Sequence, residues 1–328
     1  MPSPRPRVAI SLGDPCGVGA EVTAAALCDP RVAAALEPVV FGDAGTLQDA
    51  CALRGLPWPL PLLLAPGALA PVTRLPPALR IPGRPAGDGA SAGAAALAYV
   101  DAAIDSVLRG EAAGLCTAPL SKQRVSRSAP GFHGHTEHLA ARFGAEVAMM
   151  LAGPRLRVAL CTNHLALRDV PGAITTAGLL RIIVLVDGEL RSRFGVPAPR
   201  IAVLGLNPHA GDGGLFGDEE ARAISPALQQ ARALGIDASG PHPADGFFPK
   251  AVAGACDAVV ALYHDQGLIA AKLLDFRQTV NVTLGLPAPR TSPDHGTADD
   301  IAGAGTADAE PMVSALLLCA RLAAGQRA

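Results

Sequence analysis

Three histidines, His164, His209 and His264, each stand one to a few residues beyond a short apolar run, in turns rich in Gly, Pro, Asn and Asp. Three neutral imidazoles on separate strand ends can hold a divalent ion and leave positions open for a substrate. Zinc, cobalt or nickel suit such a set, and magnesium or manganese serve if substrate oxygens complete the shell. Asp265, beside His264, can accept a hydrogen bond from a ligating ring and orient it. Taken singly, each histidine reads more readily as a residue that caps its turn. A second chemistry lies at Gly134-His135-Thr136-Glu137, ahead of the helical run 138–143. Thr136 suits the N-cap, where unpaired N–H groups attract phosphate or carboxylate, although an ordinary capped helix has the same look. Lys272, Asn281 and Arg290 supply further donors, the Lys and Arg being natural clamps for a phosphate and a carboxylate.

Composition narrows the function classes. The chain has 328 residues, half of them apolar and 3% aromatic, enough for two domains with an aliphatic core. Net charge is −2 without a basic run, which argues against nucleic acid and against a polybasic membrane anchor. The N-terminus lacks a signal-like apolar stretch, and the apolar runs around 56–64 and 315–320 are too short or Pro-broken to span a bilayer. Seven scattered cysteines without a CxxC read as reduced thiols in a cytoplasmic protein. Of the 27 basic residues only Lys122, Lys250 and Lys272 are Lys, and all eight His follow position 132. The one G-x-S-x-G, at 89–93, leads into the Ala-rich helical run 91–109 and makes no strand-to-helix elbow, and no H-E-x-x-H occurs. Gly13–Gly19 fits neither dinucleotide nor P-loop spacing and reads as a tight strand-to-helix turn. The Gly-rich stretch 207–214 lets backbone approach a ligand closely.

These residues need elements to carry them. Strands are predicted at 7–12, 38–41, 62–64, 114–116, 147–151, 157–161, 200–204, 258–262 and 280–284. Helices are predicted at 19–28, 44–53, 91–109, 175–194, 218–234 and 308–321. The alternation implies an α/β fold with mainly parallel sheet. In such folds ligands bind beyond the carboxyl ends of strands, where Gly13-Asp14, Thr117 with Lys122, His164, His209 and His264 all fall.

GDPCGVGAE (13–21), TAPLSK (117–122), GHTEHL (134–139), NPHAGDGGLFGDEE (207–220), GPHPAD (240–245), YHDQGL (263–268) and TLGLPAPRTSPDHGTADDIAGAGTAD (283–308) together resemble the 4-hydroxythreonine-4-phosphate dehydrogenase family of vitamin B6 biosynthesis. The last segment is also similar to the cofactor loop of isocitrate and isopropylmalate dehydrogenases. The resemblance implies two α/β/α subdomains with the active site in the cleft between them. It places a terminal domain at 1–125 plus 280–328, with the cofactor loop, and a central domain at 126–279, with the dimer interface and the metal ligands. It implies a homodimer with shared active sites, with His164, His209 and His264 as metal ligands and His264 donated by the partner. His135, Thr136, Lys272, Asn281 and Arg290 would bind substrate, and His295 and Gly296 the nicotinamide cofactor, NAD or NADP; the lack of an Arg in the loop aimed clearly at a 2′-phosphate mildly favours NAD. Asp245 and Asp265 would lie near the chemistry, and Lys272 or a metal-linked carboxylate would be the base. The reaction implied is oxidation of 4-phosphohydroxy-L-threonine to a β-keto acid that decarboxylates to 3-amino-2-oxopropyl phosphate.

Cys16, Ala20, Asn163, His242, Gly246 and Pro293 depart from the family pattern without removing an expected ligand. Relatives act on D-threonate or D-erythronate 4-phosphate or on aromatic diol acids; the intact GHTE and Arg290 motifs favour a phosphorylated substrate. A three-His metal-dependent lyase or hydrolase and a non-catalytic phosphate-binding protein are the readings from other classes. His133, His138 and His242 are expected to be structural.

Overall fold

The computed structural model describes residues 5–58 and 89–325. The strand expected at 62–64 lies outside them. The chain divides into two compact units, Met1–Ala145 with Leu286–Ala328, and Glu146–Gly285.

The first unit carries β1 (Arg7–Ser11), α1 (Gly19–Leu27), α2 (Pro30–Ala35), β2 (Glu37–Phe41), α3 (Ala44–Leu53), α4 (Gly89–Leu108), β3 (Gly114–Thr117), α5 (Lys122–Ser128) and α6 (His135–Phe143). Its strands β2, β1 and β3 are joined by a later strand that pairs with β3, and every pairing is parallel. Val8, Ala9 and Ile10 are fully buried, as expected for a parallel strand covered on both faces. The cover comes from α4, with α5 and α6 packed on it, and from the C-terminal helix with α1 and α2. Helix α4 is long and apolar enough to cross a membrane, contrary to the expectation of no such stretch. It is a core helix: Ala92, Ala96, Val100, Ala103 and Ile104 are wholly shut off from solvent.

The second unit runs β4 (Ala148–Ala152), β5 (Arg157–Leu160), α7 (Val170–Ala173), α8 (Thr176–Ser192), β6 (Arg200–Leu204), a π-helical turn (Glu220–Ile224) leading into α9 (Ser225–Ala233), β7 (Asp237–His242), α10 (Ala244–Val252), β8 (Ala258–Ala261), α11 (His264–Asp275) and β9 (Val280–Leu284). β4 lies antiparallel to β9 and β5, while β5, β8, β6 and β7 pair in parallel. Leu151, Val158, Leu160, Val259, Phe247 and Leu268 form its core. The chain then re-enters the first unit through β10 (Arg290–Pro293) and α12 (Glu310–Gly325).

Two boundary expectations need correction. Helix α6, expected in the central domain, belongs to the first unit because His138 and Arg142 pair with Asp101, and Arg142 also with Asp105, on α4. Strand β9, expected in the terminal domain, belongs to the second because it pairs along its whole length with β4.

Candidate active site

In the second unit the parallel strands β5, β8, β6 and β7 deliver their carboxyl ends to one edge. His164 follows β5, His264 opens α11 after β8, His209 follows β6, and Asp245 lies in the first turn of α10 after β7. The rings of His164 and His264 approach to 5.5 Å between centroids. His264 Nδ1 lies 2.7 Å from Asp265 Oδ1. A carboxylate only accepts, so Nδ1 carries the proton and Nε2 keeps the lone pair a metal needs. Among the described residues of one chain, no three His, Cys, Asp or Glu side chains gather into a metal-sized group. The donor chemistry of the His164–His264 pair, with one ring oriented by a carboxylate, nevertheless fits a divalent ion.

His209 sits in an unusual loop. Six consecutive residues, 209–214, have positive φ, three of them non-glycine: His209 at 55°, Ala210 at 55° and Asp212 at 41°. Such conformations are costly and persist where surroundings over-determine them. Here the determinant is Glu220, buried in the π-helical turn. Its Oε1 accepts from the backbone N–H of Leu206 and of Asn207, each at 2.8 Å, and its Oε2 from Asn207 Nδ2 at 2.9 Å. A Cβ at Gly211 would stand 2.7 Å from Glu220 Oε2, so glycine is required there.

Lys272 and Asn281 lie away from this edge. Lys272 is eight residues beyond His264 on α11, about 12 Å along the axis. Asn281 lies near the start of β9, which runs in the same sense as β8, and its buried Oδ1 has no hydrogen-bond partner. Within one chain these two residues are therefore not brought to the histidine edge.

In the first unit a different site forms. Gly134, at φ 149°, is the N-cap of α6 and makes no side-chain cap bond, so Thr136 lies inside the helix and is not its cap. That φ favours glycine, and Lys122 Cε lies only 2.9 Å from where a Cβ at 134 would be. Arg290 is only 2% exposed, and its Nη2 donates to Thr117 Oγ1. Burial draws the guanidinium down to about 10, still cationic at neutral pH. Burial first, then the charges of Arg290, His138 and Lys122, hold His135 well below the usual imidazole value. His135 is thus neutral, and its Nε2 is shut off from solvent without a partner. A buried cation, a neutral imidazole and free helix N–H groups make a cradle for an anion. Sequence reading found His135 and Arg290 here; Lys122 and Thr117 it noticed only as strand-end residues.

Beyond β10, residues 294–309 form a loop without regular structure. His295 Nδ1 donates to the Gly296 carbonyl at 2.9 Å, while its Nε2 is buried and unpartnered. Nothing lies within 4 Å of where a Gly296 Cβ would be. An orphaned ring nitrogen beside open space fits a flat polar ligand such as a nicotinamide. Burial pushes Cys116 up to about 12 and Cys161 and Cys256 to about 11, so these thiols are poor nucleophiles at neutral pH. His242 stacks on Phe247 at 4.1 Å and meets Ser239 Oγ, a packing role.

The family model for pyridoxal phosphate biosynthetic protein PdxA matches residues 34–319. The chain is 45% identical over 324 residues to the 4-hydroxythreonine-4-phosphate dehydrogenase of Desulfosudis oleivorans, covering 96% of this chain and 95% of that one. Among solved structures, that of the 4-hydroxythreonine-4-phosphate dehydrogenase of Klebsiella pneumoniae is 38% identical with a TM-score of 0.84, covering 97% and 99% of the two chains. A terephthalate 1,2-cis-dihydrodiol dehydrogenase of Burkholderia xenovorans is 30% identical with a TM-score of 0.67, covering 96% and 98%.

Proposed function

The chain belongs to the family of the pyridoxal phosphate biosynthetic protein PdxA, and on that premise we propose that it is a cytoplasmic, NAD-dependent (or NADP-dependent) and divalent-metal-dependent 4-hydroxythreonine-4-phosphate dehydrogenase. The substrate is 4-phosphohydroxy-L-threonine, and the β-keto acid formed decarboxylates to 3-amino-2-oxopropyl phosphate. The observation that carries the phosphorylated substrate is the cradle of buried Arg290, neutral His135 and the start of α6. An aromatic diol acid, the substrate class in the name of the Burkholderia xenovorans relative, offers it only carboxylates, with fewer acceptor oxygens and less charge than a phosphate ester.

When bound, a nicotinamide accepts the hydride and a divalent ion (zinc, cobalt, magnesium or manganese) polarises the hydroxyl. The chain's residues do the rest. Arg290, His135 and Thr136 grip the anionic end, and Thr117 fixes the Arg290 fork. His164, His209 and His264 hold the ion, with Asp265 keeping His264 in the ligating tautomer. His295 and Gly296 receive the nicotinamide. Fixing the reacting carbon against it supplies several kcal/mol as pre-paid orientation, on the order of 7 kcal/mol in favourable cases. Asp265 is committed to His264, which leaves Lys272 as the favoured base, with Asp245 the remaining carboxylate.

A homodimer accounts for Lys272. Helix α11 exposes Ile269, Leu273 and Phe276 at i, i+4 and i+7, with Leu273 82% exposed, an apolar stripe of the kind subunits cover. A subunit docked there would let Lys272 and Asn281 serve a neighbour's site. Leu273→Asp should give a monomer by sedimentation.

NADH absorbance on turnover tests the whole reading. 4-Phosphohydroxy-L-threonine should be oxidised, activity should vanish with chelator and return with metal. Equal or better rates on D-threonate or D-erythronate 4-phosphate would move the enzyme within its family. Substrate consumption without NADH would point to a three-His lyase or hydrolase, and binding without consumption to a phosphate-binding protein.

A further inference from the structure

The loop 294–306 is fastened to the rest of the first unit by a buried network that the reaction does not otherwise use. Asp14, 0% exposed, sits in the turn after β1. Its Oδ1 accepts from Cys16 N at 2.9 Å, and its Oδ2 from Arg124 Nε at 2.6 Å and Ser121 N at 3.4 Å. The same Arg124 spans to the loop: Nη1 and Nη2 each donate to Asp299 at 2.8 Å in a bidentate fork. Further along, the buried carboxylate of Glu21 accepts from Gly303 N at 2.6 Å and Gly305 N at 3.0 Å. Between these points Val18 N donates to the Thr297 carbonyl at 3.0 Å, and a Cβ on Gly17 would strike Thr297 at 2.8 Å, so the loop lies flush on the turn.

A single guanidinium bridging two carboxylates fixes both a distance and an angle, which a lysine cannot do. The fully buried half of this bridge is poorly screened by solvent. Neither Arg124, Asp14 nor Glu21 is among the residues read as touching cofactor or substrate. We propose that Arg124 is a positioning residue: through Asp14 and Asp299, with Glu21 as a second anchor, it holds the loop in its cofactor-receiving shape before cofactor arrives. The inference rests on the reading of His295 and Gly296 as the nicotinamide site. It makes the loop a pre-ordered platform, so that binding does not have to order it.

Two readouts on the full-length protein test this, neither needing turnover: amide exchange of peptides covering 294–308 without cofactor, and NADH titration by fluorescence. Arg124→Met should speed exchange across the loop and raise the NADH Kd about tenfold or more, a factor equivalent to ~1.4 kcal/mol. Asp299→Asn, at a carboxylate 39% exposed and therefore safe for folding, should act in the same direction by a few-fold. Arg124→Lys should restore less than half the loss. Inorganic phosphate binding at the α6 cradle should stay within twofold throughout. Faster loop exchange with an unchanged NADH Kd, or unchanged exchange in both variants, overturns the positioning role. If the unaltered protein binds neither NADH nor NADPH, the cofactor reading itself fails, and the inference with it. Should Arg124→Met not fold, Asp299→Asn decides alone.

Discussion

The histidine edge of the second unit and the anion cradle of the first are built with opposite polarity. At the histidine edge His164 and His209 are exposed and the backing groups are carboxylates, Asp265 behind His264 and Glu220 beneath the loop that carries His209. In the cradle the inward groups are donors: a buried guanidinium, a neutral imidazole and a helix N-terminus with Lys122 beside it. The first arrangement waits for a cation and the second for an anion. The two also keep their shape by different means. The His209 loop stores its shape in the backbone, as a run of positive φ imposed by one carboxylate. The loop beyond β10, in the same unit as the cradle, is held by side chains, a guanidinium between two carboxylates. The proposed reaction, with its divalent ion and phosphate ester, calls for both polarities, and the charge of each site is set by burial and partner choice, not by net composition.

The sharpest way to break this contrast is to remove Glu220. Glu220→Ala deletes acceptors for three N–H groups and releases a loop with three strained non-glycine residues. Charge-assisted bonds of this kind are worth roughly 1.5–3 kcal/mol each and do not add, so a loss of about 3 kcal/mol is expected. Denaturant midpoints should fall, and calorimetric titration should show metal affinity lost by at least 100-fold, while phosphate binding at the cradle in the other unit is retained. If metal affinity survives, the strained loop is not what presents His209.

Asp265→Asn is the next largest. It keeps the shape but lets the amide present either face to Nδ1, so the tautomer of His264 is no longer enforced. Loss of an orienting carboxylate behind a ligating His costs roughly 10–100-fold in metal affinity. Metal competition against a chromogenic chelator measures it. An unchanged affinity would mean that His264 does not ligate through Nε2.

Much of this architecture was legible in the sequence. Strand β6, strand β9 and helix α3 fall where hydrophobic patterning puts them, and Thr175 caps α8 with its hydroxyl on Gly178 N. What patterning missed has physical reasons. Helix α10 carries Gly246 and Pro249 inside nine residues, and α11 opens on His-Asp-Gln-Gly, so neither announces itself as helical although tertiary packing makes both so. Strand β7 contains Gly240 and Pro241 and reads as a turn. At the site, the residue types were visible but their partners were not. That Gly134 rather than Thr136 caps α6 beside Lys122, that Glu220 shapes the His209 loop and that Arg124 bridges to Asp299 depend on contacts 12 to 175 residues apart, which no local pattern encodes.

On the cradle side, protons test the same contrast. His135 is held neutral because burial and nearby cations lower its folded pKa. A depressed folded value gives stability that is complete above the unfolded pKa, about 6.5, and is lost as pH falls toward the folded value. Denaturant midpoints should therefore fall between pH 7 and pH 5, and His135→Gln should flatten that slope. Asp299, lowered chiefly by its bond from Arg124, has the same sign but a lower window, beginning below about 3.9. The loop clamp should hold across the range in which the cradle weakens. A slope that is unchanged in His135→Gln would place the titrating group elsewhere.

The smallest effect separates the two ways of holding a loop. Ala210 in the histidine loop and Ala298 in the loop beyond β10 both sit at positive φ, 55° and 45°. Glycine accepts that conformation without the Cβ penalty of about 1–2 kcal/mol, but adds roughly 0.5–1 kcal/mol of chain entropy to the unfolded state. Each Ala→Gly change should thus raise stability by about 0.5 kcal/mol, a melting shift of about 1 °C for a chain this long. The ligand responses should differ. At 298 the loop is already fixed on both sides, by Val18 N on the Thr297 carbonyl and by the Arg124 fork on Asp299, so NADH affinity should not move. At 210 the backbone itself is the device, and a glycine lets the His209 turn relax, so metal affinity should fall by about threefold even as the protein becomes slightly harder to melt. Equal ligand responses at the two positions would mean that both loops are held in the same way, and the contrast drawn from Glu220 and Arg124 would fail.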